Sequence, residues 1–138
     1  MKIPRLQADA MVAHALAGYP FEVCGVFLGR GAVVQRAVQA VNREVEQPRV
    51  RYQIAPQDLI RIQRTAEADG LEIVGYYHSH PDHPARPSET DRRIAAGGLS
   101  DGVFHVVIGV DRGERGTPTA WVFRDADAAF QEEPLEIG

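Results

Sequence analysis

His78 and His80 stand one residue apart at the end of an apolar run, Leu71 to Tyr77. If that run is a β-strand, side chains alternate between its faces, so both imidazoles leave one face and converge on one point. Asp91 follows after a proline-rich loop, close to the start of a helical stretch, and can supply a carboxylate oxygen from a second direction. Two imidazole nitrogens and one carboxylate leave a tetrahedral zinc with one open position. That is the coordination of a hydrolytic site, whereas structural zinc is closed by four protein ligands. Zinc hydrolysis also needs a base near the metal's water, whose pKa falls to about 7, so that a carboxylate can take the proton and pass it to a leaving amine. Glu22 has the chemistry for this task, although its spacing does not connect it to the histidines.

Each of these residues also has an ordinary structural reading. A lone histidine beside a strand is commonly packed or at the surface, but a pair at i and i+2 where loops gather is less easily dismissed. Pro87-Ser88-Glu89-Thr90-Asp91 is a good helix start, with Ser88 as N-cap and Asp91 close to a capping-box partner. The two roles are compatible, because a carboxylate in the first turn can face a cation while the backbone stays helical. Glu22, taken alone, is a solvated residue ahead of a strand. Cys24 shares its face on an extended strand but reads as a small buried hydrophobe. Asp82 and His83 read as solvated loop residues, His105 as core or edge packing, His14 as a helix residue, and Arg86, Arg92 and Arg93 as a charged face.

Glu22, then His78-Ser79-His80-Pro81, then Ser88 and Asp91 in the spacing H-[ST]-H-P-x(6)-S-x-x-D, resembles the signature of the JAMM metalloproteases, the catalytic branch of the JAB/MPN domain family. The segment Pro20-Phe21-Glu22-Val23-Cys24-Gly25-Val26-Phe27-Leu28-Gly29 is similar to the small prokaryotic members. The resemblance implies that His78, His80 and Asp91 hold one zinc per chain, with a water in the fourth place and Glu22 as the general acid/base that activates it. It implies that Ser88 donates its hydroxyl to the carbonyl oxygen as charge develops there, and that Ser79 fixes the loop. The implied substrate is an amide or isopeptide bond at the C-terminal glycine of a ubiquitin-like or sulfur-carrier protein with a Gly-Gly tail. Such a tail can pair in extended form with a strand edge. The leaving group, cysteine or a lysine-linked protein, stays open. A non-catalytic MPN scaffold is the first alternative, opposed by the intact set of ligands. A zinc deaminase is the second, and its Pro-Cys-x-x-Cys pair is ruled out by a single cysteine.

Composition sets the frame for these residues. A chain of 138 residues can bury one core, and its net charge of −4 offers no basic face for nucleic acid. No stretch approaches the ~20 apolar residues of a membrane span, and the opening Met-Lys-Ile-Pro-Arg-Leu is not followed by a signal-peptide core. With one cysteine, which cannot form an internal disulfide, these features make a cytoplasmic protein the expectation.

The pattern of elements then places the site. Leu6, Ala10, Ala13, Leu16 and Ala17 are spaced as one face of a helix over about 7–17, closed by Gly18-Tyr19-Pro20. Glu22 to Gly29 and Val33 to Val41 read as a hairpin, 42–48 as a loop, and Val50 to Ile54 as a further strand. A helix over 57–68 carries Leu59, Ile60, Ile62 and Ala66 and stops at Gly70. Leu71 to Tyr77 alternates too little to have a wet face and reads as a central strand ending at the histidines. A helix over 88–96, strands over 103–110 and 119–123, and an acidic tail from 125 to 138 that packs as a short helix or frays complete the chain. The expected fold class is α/β: a single domain over 1–138 with a mixed β-sheet flanked by helices, which is the JAB/MPN, cytidine-deaminase-like architecture that the resemblance implies.

Overall fold

The computed structural model describes residues 1–138. Its elements in chain order are β1 (Lys2–Ile3), α1 (Arg5–Gly18), β2 (Cys24–Arg30), β3 (Val33–Ala40), α2 (Pro56–Ala68), β4 (Glu72–Pro81), α3 (Glu89–Ala96), β5 (Phe104–Asp111), β6 (Arg115–Arg124), β7 (Ala129–Glu133) and β8 (Glu136–Ile137). The eight strands form one mixed sheet in the order β7-β6-β5-β4-β2-β3-β1-β8. Hairpins give the antiparallel pairs β2–β3 and β5–β6, while β4 and β5 run parallel and need a crossover, which contains α3. The result is the expected α/β fold.

The sheet has a helix on each face. Against one face α1 packs Ala8, Met11 and Ala15 onto a core that includes Phe27, Tyr77, Val106 and Ile108. Against the other, α2 sets Ile62 and Ala66 on Val26, Leu28 and Leu71. β4 is therefore covered on both sides, as its run of apolar residues predicts. Gly70 leaves α2 at a φ of +68°, the left-handed turn for which glycine carries no steric penalty.

Five expectations change. Of the expected stripe of α1 only Leu16 packs on the core, and partly: Leu6 is 76% exposed, Ala10, Ala13 and Ala17 face out, and the buried stripe runs through Ala8, Met11 and Ala15. Alanines on every side of this helix fit either stripe, and the larger Met11 decides which face goes inward. Ile60 of α2 is likewise half exposed rather than buried. Val50 to Ile54 is not a strand. The side chain of Asn42 takes over the bonding there: its Oδ1 accepts from the amides of Glu44 and Gln53, and its Nδ2 donates to the carbonyls of Glu22 and Arg51.

The tail after Arg124 does not fray. A single 3₁₀ turn over Asp125–Asp127 leads into β7, which pairs with β6, and β8 pairs with β1 at the far edge. Phe130 anchors β7 by stacking edge-on against Phe123, with ring centroids 5.2 Å apart. β4 itself runs to Pro81, four residues beyond the expected end at Tyr77, because β5 continues beside it with His78 opposite Val107 and His80 opposite Gly109. Both histidines therefore sit within regular strand, not after it.

Candidate metal centre

The period of two in β4 sends His78 and His80 to the same face, where their Nε2 atoms lie 3.0 Å apart. Asp91, in the first turn of α3, brings Oδ2 to 3.2 Å from each of them. Three ligand atoms on a tetrahedral zinc, with bonds of about 2.0–2.1 Å, are separated by about 3.3 Å along each edge. The triangle is thus the right size for one face of that tetrahedron, with the fourth corner left to a non-protein ligand. The donor set, two imidazoles and a carboxylate, is also one zinc accepts.

The surroundings fix which atoms point inward. His80 Nδ1 lies 2.9 Å from the carbonyl of Pro84, which can only accept, so Nδ1 carries the proton and Nε2 offers its lone pair to the centre. His78 is held by a stack with Tyr52, centroids 4.6 Å apart and planes at 24°. The loop that brings in Pro84 crosses Gly109, where an added Cβ would meet Ala85 Cβ at 3.1 Å, so a bare residue there lets it come close. Asp91 is buried, which by itself would favour the neutral acid. The two imidazole rings set against Oδ2 and the hydrogen bond donated by the Ser88 amide outweigh this and hold its carboxyl well below the usual carboxylate range. Burial lowers the pKa of His78 in turn, which favours the neutral ring a metal requires.

Ser88 and Asp91 also form a capping box: Asp91 N donates to Ser88 Oγ at 3.0 Å and Ser88 N to Asp91 Oδ2 at 2.8 Å. One carboxylate therefore starts the helix and faces the histidines at once. Ser88 Oγ spends one lone pair on the cap, and its O–H remains available to donate.

Glu22 is not solvated. It is 4% exposed, and a carboxylate oxygen lies within 4.8 Å of a ring nitrogen of each histidine. Its backbone is tied on every side: its amide to Pro48 O, its carbonyl to Asn42 Nδ2, and the next amide, Val23, to Ser79 Oγ at 2.9 Å. Ser79 thus points away from its neighbours and pins the segment that carries Glu22. Burial pushes the Glu22 carboxyl up to about 8, with the charge of Asp91 adding to this and His80 opposing it.

Other expected positions fall away from the centre. Cys24 sits opposite His78 in the β2–β4 register, fully buried, with its thiol pushed up to about 12 by burial, so it packs and does not react. His105 is core packing between Tyr76 and Phe130. Asp82 is no mere loop residue: at a φ of 58° it accepts from the Arg112 amide and from the Tyr19 hydroxyl, which latches the loop. Arg92 and Arg93 both pair with Glu89, which leaves Arg86 alone among the three facing the cleft.

Two clefts meet at the centre. A polar one of about 400 Å³ holds Glu22, His80, Ser88, Arg51 and Arg86, and an apolar one of about 680 Å³ runs past His78 and Asp91 along Tyr52, Leu59, Ile94 and Phe130. The sequence reading missed Tyr52, Asn42 and the Pro84 carbonyl. An aromatic residue in a polar stretch was the one available signal for Tyr52.

The family described as prokaryotic homologs of the JAB domain matches residues 5–124. The chain is similar to a desampylase from Haloferax volcanii, 38% identical over 64% of this chain and 67% of that protein. It is also similar to a CysO-cysteine peptidase from Mycobacterium tuberculosis, 28% identical over 94% of this chain and 85% of the other. Two further curated relatives are longer, and the match spans 32% and 62% of them. In fold it resembles a JAB1/MPN domain protein from Archaeoglobus fulgidus, with a TM-score of 0.64 at 20% identity over 99% of this chain and 98% of that one. With a sheet, a helix order and a cleft of this kind, and a family match over most of its length, the chain belongs to the prokaryotic JAB-domain family.

Proposed function

We propose that the chain is a zinc-dependent hydrolase that cleaves the amide or isopeptide bond at the C-terminal glycine of a ubiquitin-like or sulfur-carrier protein. The observation that carries this reading is the triangle of His78, His80 and Asp91 with sides of 3.0, 3.2 and 3.2 Å, beside a buried glutamate. The class, a hydrolase of the metalloprotease type, is supported by the family and by relatives named as a desampylase and a cysteine peptidase.

His78, His80 and Asp91 would hold one zinc, which when bound supplies Lewis acidity to a water and to the scissile carbonyl. Glu22 takes a proton from the attacking water and delivers it to the leaving nitrogen. Burial raises the Glu22 carboxyl, and the charge of a bound zinc would draw it back toward the carboxylate that can accept a proton, which suits a group that must both take and return one. Ser88 donates its hydroxyl to the carbonyl oxygen as negative charge grows there. The balance is simple: the C–N bond breaks, the glycine gains the water oxygen as a carboxylate, and the amine leaves with the proton. A Gly-Gly tail brings main chain and no bulk to the centre, so it can lie extended beside the metal residues.

The test is metal analysis followed by cleavage of a carrier protein bearing a C-terminal cysteine amide, with and without chelator. About one zinc per chain and turnover that disappears on chelation and returns with zinc are expected. A zinc-replete protein that leaves both that amide and a lysine isopeptide intact would sink the proposal.

A further inference from the structure

The chain as a whole is acidic, yet the cleft that holds Glu22 and Ser88 is lined by two arginines, Arg51 and Arg86, and Glu22 is its only acidic residue. Neither guanidinium forms an ion pair within the chain, whereas Arg92 and Arg93 nearby are both committed to Glu89. The two are also mounted on the site. The Arg51 carbonyl and the Glu22 carbonyl accept from the same Asn42 amide, at 3.1 and 3.0 Å. The Arg86 amide donates to the Pro84 carbonyl, the same oxygen that fixes His80. Each arginine therefore hangs one hydrogen-bonded group away from a residue of the centre, on two different loops.

A cleft so built selects for an anion, and its place beside Glu22 says which one. Glu22 delivers its proton to the leaving nitrogen, so whatever is attached to that nitrogen lies in this cleft. If the leaving group is an amino acid linked through its α-amine, its carboxylate stands two bonds beyond the nitrogen, about 3 Å away, where a guanidinium fork can grip both oxygens. If it is a lysine side chain, the nitrogen is followed by a four-carbon stem with no charge for the arginines to meet. The apolar cleft on the other side of His78 would suit that stem, but Glu22 does not line it.

We infer that Arg51 and Arg86 form a carboxylate subsite for the leaving group, so that the preferred bond joins the carrier's C-terminal glycine to a single amino acid with a free α-carboxylate. This rests on the hydrolase reading above and goes beyond it by choosing the leaving group.

The experiment uses one ubiquitin-like carrier in three forms: extended by a C-terminal cysteine with a free carboxylate, the same with a carboxamide, and joined through its glycine to a lysine ε-amine. Zinc-loaded wild type is compared with Arg51→Ala, Arg86→Ala and the double variant. Both side chains are exposed and unpaired, and matched melting temperatures would show that the variants fold. Wild type should prefer the free acid over the carboxamide by about tenfold or more in kcat/KM, the worth of a charge-assisted pair of hydrogen bonds. The double variant should lose that preference, mainly through a higher KM for the acid. Equal cleavage of acid and carboxamide by wild type, a preference for the lysine-linked form, or a ratio that survives the double substitution would overturn the inference and leave the hydrolase standing. Failure of zinc-loaded wild type on all three forms would bring down the hydrolase reading and this inference with it.

Discussion

The two faces of β4 are built on opposite terms. On the α1 side Tyr77 is 1% exposed, its ring tilted against Phe27 at 5.4 Å and its hydroxyl 2.8 Å from His14 Nδ1. Nothing polar on it is left without a partner. On the other side, one residue along, His78 is equally buried, but its Nδ1 has no partner, and neither has Nε2 of His105 two strand positions away on β5. Glu22 is buried there too, held away from its ordinary protonation range. Unpaired buried polar groups weaken a fold, so a region that gathers several of them must be maintained by something other than stability. The α1 face is packed and polar-satisfied throughout, while the other, beyond the core that α2 covers, gathers the residues of the candidate centre.

Substitutions that separate activity from stability would sharpen that contrast. The largest effect expected is for Glu22→Gln, which keeps the shape and the zinc site but removes the proton carrier. Turnover should fall by about 10²- to 10⁴-fold with zinc content unchanged. Near-normal turnover in a zinc-replete variant would remove Glu22 from the chemistry. On the opposite face, Tyr77→Ala deletes a fully buried ring and should lower unfolding stability by about 3–5 kcal/mol, read by denaturant titration. The folded variant should still bind about one zinc. If it instead lost zinc while keeping its stability, the division between the faces would be wrong.

Legibility in the sequence follows the same division. The hairpin, β4, α2 and the start of α3 could be read because each carries a pattern with one physical cause: alternation, an apolar run, a helical stripe, a capping residue. The convergence of His78, His80 and Asp91 could be read because their spacing is demanding, yet that spacing said nothing of how Glu22 arrives. Its approach depends on Asn42, whose amide ties the Glu22 carbonyl to three backbone groups of the 42–53 loop, and no local pattern announces such a side chain. β7 is hidden because three amide or acidic residues follow Phe130 and look like a solvated tail. α1 was found, but its buried face was not, since alanine fits either side.

A third test exploits the unpaired imidazole. Burial first, and the nearby His78 second, lower the pKa of His105 to about 4, against 6.5 in an unfolded chain. Above pH 6.5 the ring is neutral in both states and pH has no effect through it. Below 6.5 the unfolded chain takes up a proton that the folded ring refuses, so stability is lost as pH falls from 6.5 to about 4 and then levels off. The shift corresponds to about 3 kcal/mol at most. Melting of metal-free wild type and His105→Phe at pH 4, 5, 6 and 7 should show the two curves diverging toward acid, with wild type falling faster. Parallel curves would mean that the ring finds a partner or charges in place.

The smallest effect expected belongs to Tyr52, and it bears most directly on how the reactive face is kept in order. His80 has a carbonyl to fix its tautomer, but His78 has none, and the Tyr52 ring stacked on it is what restrains its rotation. An aromatic pair of this kind is worth about 0.5–1.5 kcal/mol beyond its buried area. Tyr52→Leu keeps an apolar contact but loses the flat surface, so zinc affinity measured by competition with a chelator should weaken by about 2- to 10-fold. Tyr52→Phe should keep wild-type affinity, because the ring and not the hydroxyl does the holding. If the phenylalanine variant weakens zinc as much as leucine does, the hydroxyl has a role that the stack does not explain, and packing would no longer account for how the second imidazole is aimed.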